Sequence, residues 1–201
     1  MRIPDAALKT IEAAVQAAEQ NTSGEIAVAV VAKSDGYGAP RAALALGAAL
    51  LATAVTLALG LPSFAVAAAW PLAGVAGFVV TLVPAVARAI IPEHELDAEV
   101  LESAKAAFLD NGVHRTADRA GVLVYLSLLE HRVIVLADTG IHAAVGEEGW
   151  KKHVAVIVES MRTGHPEALA AVVTDIGALL SQHFPARADD KNELPDAVRV
   201  G

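Results

Sequence analysis

The chain has 201 residues, of which 55% are hydrophobic, with no cysteine and a formal net charge of −8. The acidic balance argues against nucleic-acid binding, because no basic surface is available to release counterions from phosphates. The lack of cysteine excludes disulfides, thiol catalysis and cysteine-ligated metal sites. The hydrophobic fraction exceeds the roughly 45–50% of ordinary soluble chains, and the excess lies in one uncharged block between Arg41 and Arg88.

The segment before this block predicts a helix and a strand. Apolar residues recur at helical spacing between residues 5 and 20, which predicts an amphipathic helix. The stretch GEIAVAVVAK, residues 24–33, predicts a strand apolar enough to lie inside a sheet. The chain opens without a basic stub and a short apolar run, so we expect no signal peptide ahead of the apolar block.

The apolar block predicts two transmembrane helices, residues 42–61 and 64–88, joined by a turn at Leu61–Ser63. A spanning helix needs about 20 apolar residues, because about 30 Å of hydrocarbon is crossed at 1.5 Å per residue. The alternative is a pair of buried helices in a soluble core. Fewer than 160 residues would then have to enclose 46 uncharged ones, so the sequence favours a membrane hairpin.

Small residues and one proline shape the predicted hairpin. Gly47, Ala48, Gly74 and Gly77 are expected to let the two helices approach each other closely. Pro71 is expected to kink the second helix, because it lacks a backbone N–H group and a neighbouring helix can tolerate the freed carbonyl.

The distribution of basic residues predicts the orientation of the hairpin. The turn carries no lysine or arginine, whereas Lys33, Arg41 and Arg88 flank the other end. Cytoplasmic loops carry the excess of these residues, so both termini and the soluble part are expected in the cytoplasm. A hairpin returns the chain to the side it left, which allows residues 1–38 and 92–201 to form one discontinuous α/β domain.

The remaining elements complete an α/β pattern. A helix opens at Pro92 and is ended by Asn111-Gly112, and strands at 121–129 and 132–138 are joined by a turn near Glu130-His131. The next helix ends at Gly164 and is lined by Trp150, Val154, Ile157, Val158 and Met161. A last helix from Pro166 to Phe184 and an extended polar tail over 185–201 follow. Trp150, at helical spacing, is expected in the core. We therefore predict an α/β/α sandwich with a small mixed sheet, interrupted by an inserted transmembrane hairpin.

Three carboxylates are expected at one edge of this sheet. A right-handed crossover makes the first two strands parallel, and a hairpin centred on residues 130–131 places Asp138 opposite Leu123. Glu25, Asp118 and Asp138 then lie at the same edge, where they could hold Ca²⁺ or Mg²⁺ through oxygen ligands. The alternative is that they are solvated loop acids, with Asp138 capping the turn that follows it.

Two histidines flank the same predicted edge. His114 and His142 are secondary candidates, as metal ligands or for acid–base or nucleophilic chemistry, and surface or packing roles are the alternative. Arg115 and Arg119 could bind phosphate or could pair with Asp118. The sequence holds no HExxH, no Gly-rich phosphate loop and no GxSxG, so the catalytic residues stay unknown.

Three stretches carry a resemblance to a known family: TSGEI at the first strand, HRTADRAGVLVYLSLLEHRVIVLADTGIHAAV, and HFPARADDKNELPD near the end. The chain resembles bacterial members of the TPM-domain family over roughly residues 1–35 and 94–196. The resemblance implies an α/β/α domain with a sheet of about four strands. It also implies an acid-phosphatase-like activity, divalent-metal binding, or a part in assembling and repairing membrane complexes. The common family pattern differs, because there the domain follows a signal peptide and lies outside the cytoplasm.

Taken together, these features predict a membrane-anchored TPM-like protein with an accessory, assembly or interaction role. Its expected partners are membrane lipid and a membrane protein, and Ca²⁺ or Mg²⁺ is the expected cofactor. The alternative is a weak metal-dependent acid phosphatase that uses Glu25, Asp118 and Asp138 as ligands, and its small-molecule substrate is unknown. A third possibility is a purely structural membrane protein whose soluble part is an interaction surface.

Overall fold

A computed structural model gives the fold of the chain and describes residues 4–146, 148, 150–151, 154–155, 168–187 and 192–201. The chain forms two compact units. One comprises residues 1–34 and 98–201, and the other comprises residues 35–97. The predicted helix lined by Trp150 and Met161, and the predicted helix start at Pro166, fall largely on residues 156–167, outside the described part.

The described elements follow the predicted order closely. They are α1 Asp5–Glu19, β1 Glu25–Val31, α2 Gly38–Ala58, α3 Ser63–Val80, α4 Pro84–Ile90, α5 Glu93–Asp110, a 3₁₀ turn Val113–Arg115, β2 Gly121–Ser127, β3 Arg132–Ala137, α6 Thr139–Val145, α7 Ala168–His183 and β4 Arg199–Val200.

The sheet of the larger unit is mixed and has the order β3-β2-β1-β4. β1 and β2 are parallel and β2 and β3 are antiparallel, as predicted. The predicted register of the hairpin is wrong by two residues, because Leu123 pairs with Leu136 and not with Asp138. The turn holds the four residues 128–131, with His131 at a φ of 54°. β3 begins at Arg132 as predicted, whereas β2 ends at Ser127, two residues earlier than predicted.

Period-two alternation sends the side chains of the strands into two apolar layers. Ile26 and Val28 belong to a core with α1 and α7 residues such as Ile11 and Ile176. On the other face, Ala27 and its neighbours pack with residues of α5. The sheet thus lies between helices on both faces, and the predicted α/β/α layering is seen in this unit.

The predicted polar tail is a structural part of the larger unit. Pro185 bridges Thr22 next to β1, and β4 pairs with β1 in parallel. Leu194 is buried in the α5 face of the core. The tail therefore supplies the fourth strand and covers the outer edge of β1, which the sequence pattern did not predict.

The smaller unit contains α2, α3 and α4. α2 and α3 are long and apolar enough to cross a membrane by length and composition, and 6% and 0% of their apolar windows are buried. The predicted second span, residues 64–88, is divided, because α3 ends at Val80 and α4 begins at Pro84. Proline lacks the N–H group that would continue the helix and holds the residue before it in an extended conformation.

Small residues bring α2 and α3 together. A Cβ atom added at Gly77 would lie 2.9 Å from the Cβ of Ala48 and 3.1 Å from the Cα of Ala45, and one at Gly74 would lie 3.7 Å from the Cβ of Ala49. Gly47 is different, since an added Cβ would meet nothing within 4 Å. The predicted close approach is therefore confirmed at Ala48, Gly74 and Gly77 and is wrong at Gly47.

Candidate functional site

The sheet topology gathers several chain ends at one edge. β1 and β2 are parallel, so both begin at the edge where the antiparallel β3 ends. Glu25 is the first residue of β1, Asp118 precedes β2 by three positions, and Asp138 directly follows β3. The predicted placement of the three carboxylates at one edge is therefore seen in the structure, and the contacts of each decide what they can do.

Glu25 is a buried carboxylate that binds backbone amides of the polar tail over 185–201, which we call the C-terminal segment. Its Oε1 accepts a hydrogen bond from the N–H of Glu193 at 2.9 Å, and its Oε2 accepts one from the N–H of Leu194 at 3.2 Å. Only 6% of the residue is exposed. Two amide donors stabilise the ionised form of a buried carboxylate, so Glu25 acts as an attachment point for that segment.

Asp118 is partly exposed and is paired with arginine. Its Oδ2 lies 2.8 Å from Nη2 of Arg187, which comes from the C-terminal segment. A second contact joins the same two regions, because the N–H of Ala117 donates to Oε2 of Glu193 at 2.8 Å. The loop before β2 is thus tied to the C-terminal segment at two points.

Asp138 caps a helix and pairs with a different arginine. It is the N-cap of α6, and its Oδ1 accepts from the N–H of Thr139 at 2.6 Å. Its Oδ2 lies 3.1 Å from Nε of Arg119, whose Nη1 donates to the carbonyl of His114 at 2.6 Å. Arg119 has a φ of 55°, so this ion pair is built on a left-handed backbone position. The predicted capping by Asp138 is confirmed, whereas the expectation that it is a solvated loop acid is wrong, because only 3% of the residue is exposed.

The three predicted ligands do not form one constellation. Asp118 and Asp138 are paired with different guanidinium groups, and Glu25 binds two backbone amides. Within the described part of the chain, no group of three histidine, aspartate or glutamate side chains is arranged to hold a metal ion. Arg119 pairs with Asp138, whereas the sequence offered Asp118 as its partner.

The two histidines occupy different surroundings. The Nδ1 of His114 is buried and finds no hydrogen-bond partner among the described residues. His142 is exposed and packs edge-on against Trp150, with the ring centroids 6.2 Å apart. Trp150 itself is 5% exposed and belongs to the core, as predicted. Packing therefore accounts for the position of His142.

A polar pocket of about 450 Å³ lies beside this edge, between the end of α1, the start of β1 and the C-terminal segment. Its lining includes the carboxylates of Glu19, Glu25 and Asp196, together with Arg187 and Asn192. Burial raises the pKa of Glu19 to about 8, and the carboxylates of Glu25 and Asp196 contribute to the rise. The N–H of Ile26, which donates to Glu19 at 2.8 Å, opposes it. Glu19 therefore binds a proton at neutral pH.

Sequence patterns gave no sign of this pocket. Glu19 is the last residue of an amphipathic helix, and Asp196 lies in a segment without periodicity. Their proximity depends on how the last residues return to β1, and no local spacing encodes that path. The one available signal was the acidity of both regions, which is shared by much of the chain.

A second buried polar cluster lies at the opposite edge of the sheet. Glu130 is fully buried, and its Oε1 accepts from the N–H of Ser34 at 2.8 Å. Ser127 donates to the other oxygen of Glu130, and Ser34 donates its hydroxyl to Ser127 at 3.0 Å. Buried carboxylates need such partners, so this cluster fastens the end of β1 to the β2–β3 turn.

Comparisons with known proteins inform the fold. No protein-family model and no curated protein matches the chain. The chain is similar in structure to the BA42 protein from the psychrophilic bacterium Bizionia argentinensis, solved by NMR, with a TM-score of 0.62 and 20% sequence identity. The match covers 100% of this chain and 97% of that one. At this identity the likeness concerns the fold alone, and it supports a mixed α/β architecture.

Proposed function

We propose that the chain is a membrane-anchored α/β protein in which α2 and α3 form a transmembrane hairpin. The observation that carries the proposal is the exposure of both apolar helices, whose apolar windows are 6% and 0% buried. Leu51, Phe64 and Leu72 are each about two-thirds exposed or more. Apolar surfaces of this extent mark a membrane or protein interaction site, and a core helix of a soluble protein would be mostly buried.

Helix lengths and backbone bonding fit this role. The 21 residues of α2 and the 18 of α3 would extend about 32 and 27 Å, against about 30 Å of hydrocarbon. A slightly short helix is accommodated by local thinning of the bilayer. The hydroxyls of Thr53 and Thr56 donate to carbonyls of the preceding turn, which satisfies them without water.

The proposed orientation places both termini and the α/β domain in the cytoplasm. The connection between α2 and α3, residues 59–62, has no basic residue, whereas Lys33 precedes α2, Arg41 lies in its first turn and Arg88 follows α3. An excess of lysine and arginine favours the cytoplasmic side.

An accessory or assembly role, as in the TPM-like proteins that the sequence resembles, is the function we propose for the anchored domain. The carboxylates at the sheet edge bind backbone amides or arginines of the same chain, which is typical of structural fastening. Its partners in this proposal are membrane lipid and a membrane protein.

The Ca²⁺ or Mg²⁺ site and the phosphatase alternative stay predictions, and the described geometry does not favour them. A divalent ion shared by Glu25, Asp118 and Asp138 would have to displace Arg187 and Arg119. No step of the proposed function therefore depends on a metal ion.

Single-cysteine labelling tests the anchoring and its orientation, because the native chain has no cysteine. Ser63→Cys, at the start of α3, should react with a membrane-impermeant maleimide added to intact spheroplasts. Ala143→Cys, which is also at an exposed position, on α6, is the matched control and should react only after lysis. Recovery of the protein from carbonate-washed membranes is expected. Labelling of Ala143→Cys alone in intact spheroplasts would refute the orientation, and release by carbonate would refute the anchoring.

A further inference from the structure

Arg41 is a cationic residue at the boundary of the apolar block. It lies in the first turn of α2, and the uncharged residues 42–87 begin directly after it. At 1.5 Å per residue, Arg41 is about 27 Å along the helix axis from Leu59, the residue that follows α2. If the hairpin crosses about 30 Å of hydrocarbon, Arg41 therefore lies where the hydrocarbon meets the lipid headgroups.

Helical spacing places Arg41 on the face of α2 that packs against α3. Residues three and four apart share a face, and Ala45 and Ala48 are among the nearest neighbours of a Cβ atom built on Gly77. A short turn joins the two helices, so they are antiparallel, and Thr81 lies at about the level of Arg41. Thr81 is fully buried, and α4 also packs against α2. The chain is therefore closely packed around the first turn of α2.

The Nε atom of Arg41 is buried there and has no hydrogen-bond partner among the described residues, which include all of residues 35–97. The last three carbonyls of α3, residues 78–80, already accept from N–H groups of the turn that follows. The carboxylate nearest in sequence, that of Asp35, accepts from the N–H of Tyr37. A charged N–H group without an acceptor is costly to bury, so Arg41 needs an acceptor that these residues do not provide.

The other arginine of this unit has an anionic partner. Nη2 of Arg88 lies 3.8 Å from Oε1 of Glu93. The charge of Arg88 is therefore offset at least in part by its own chain, which makes Arg88 a useful comparison for Arg41.

Exposed apolar side chains lie close to the level of Arg41. Leu82 and Val83, in the connection between α3 and α4, are 60% and 51% exposed, and Leu46 of α2 is 54% exposed. A cation beside apolar surface matches a lipid, which carries a charged headgroup and acyl chains together. A free ion would use the cation alone.

We propose that Arg41 binds the phosphate group of an anionic glycerophospholipid beside the first turn of α2. The inference rests on the proposed membrane hairpin and does not depend on which side of the membrane the domain faces. A phosphate oxygen is the anionic acceptor that the Nε–H group lacks, and a guanidinium group binds phosphate through parallel N–H donors. An anionic headgroup is favoured over a zwitterionic one because it has no ammonium group to repel Arg41.

Thermal unfolding of the full chain in detergent with added lipid tests the proposal. Phosphatidylglycerol is compared with phosphatidylcholine that has the same acyl chains. The concentration giving half of the maximal rise in Tm should be about fivefold lower for phosphatidylglycerol, because a basic residue at an anionic surface contributes about 1 kcal/mol. Inorganic phosphate at the same concentrations should leave the Tm unchanged. Equal effects of the two lipids, or an equal rise with inorganic phosphate, would overturn the proposal.

Two variants assign the preference to one residue. Arg41→Gln removes the charge and should abolish the preference for phosphatidylglycerol. Arg88→Gln is the matched control, because it removes an arginine that is already paired with Glu93, and it should keep the preference. A preference that persists in Arg41→Gln, or that is lost equally in both variants, would contradict the inference.

Arg41→Lys provides a second comparison if Arg41→Gln does not fold. Lysine keeps the charge but has no N–H group at the position of the buried Nε atom. Its preference for phosphatidylglycerol should therefore be smaller than that of the wild type. An unchanged preference would show that the buried Nε–H group is not what binds the lipid.

Carbonate extraction of the same proteins separates this inference from the anchoring on which it rests. The wild type and all variants are expected in the membrane fraction, because none of the substitutions alters the apolar block. Release of the wild type by carbonate would refute the anchoring and the inference together. Retention of a wild type that shows no lipid preference would refute the inference alone.

Discussion

Replacing Gly77 with alanine should push α2 and α3 apart. The added Cβ would lie 2.9 Å from the Cβ of Ala48, 3.1 Å from the Cα of Ala45 and 3.3 Å from the carbonyl oxygen of Leu44. Ordinary van der Waals contact needs 3.4 Å or more. Two of these three atoms belong to the backbone of α2 and cannot rotate away, so the helices must separate by several tenths of an ångström.

The size of the effect follows from two opposing contributions. Glycine to alanine within a helix stabilises it by about 0.5–1 kcal/mol, whereas overpacking costs about 1–3 kcal/mol. Gly47→Ala isolates the first contribution, because its Cβ would meet nothing within 4 Å. Gly74→Ala is intermediate, with its nearest neighbour at 3.7 Å. We expect the order of stability Gly47→Ala, then Gly74→Ala, then Gly77→Ala, with about 1–3 kcal/mol between the first and the last.

The assay is thermal unfolding of each full-length variant in the same detergent, followed by far-ultraviolet circular dichroism. A distance between spin labels on α2 and α3 provides an independent readout, and it should lengthen only in Gly77→Ala. If Gly77→Ala proved as stable as Gly47→Ala, the close contact between the two helices would be refuted.

Two further predictions concern the α/β domain. Asp138→Ala removes the cap of α6 and the partner of Arg119, so it should lower the free energy of unfolding by about 1–2 kcal/mol. The control Asp138→Asn should retain much of the cap. Equal stability of Asp138→Ala and the wild type in chemical denaturation would argue against the cap. Folded Glu19 binds its proton more tightly than the unfolded chain does, so stability should fall as the pH rises from about 4.5 to about 8. Allowing for solvent screening of this partly exposed group, the loss of stability should be about 2 kcal/mol. Denaturation at a series of pH values should show that the free energy of unfolding depends less on pH in Glu19→Gln than in the wild type. The same pH dependence in both would show that another group titrates.

Much of the α/β architecture could be predicted because its determinants are local. The run of apolar residues in β1 indicated a central strand, and the crossover rule gave its parallel pairing with β2. The register of the β2–β3 hairpin was harder, because residues 128–131 include no strong turn signal and His131 adopts an unfavourable φ. A shift of two residues keeps every side chain on its face of the sheet, so the hydrophobic pattern could not detect the error.

The candidate site was harder to predict than the fold. Sequence reasoning placed Glu25, Asp118 and Asp138 at one edge correctly, but proximity along an edge does not decide which group each carboxylate binds. The arginines that pair with two of them come from unrelated positions, one of them in the C-terminal segment. The sequence did not predict β4 either, because two exposed residues are too few to show the alternation of buried and exposed positions that marks a strand.

The position of β1 in the sheet also constrains the order in which the domain can form during synthesis. β1 is made early, but β2 follows only after α2 to α5, and β4 comes from residues 199–200. Pairing of β1 with β2 therefore closes a long loop, and pairing of β1 with β4 can take place only after residues 199–200 have been made. Contacts of such high sequence separation form slowly. If α2 and α3 enter the membrane as proposed, they do so while β1 is still an unpaired apolar segment, so the nascent chain must keep that segment from aggregating until β2 has been made.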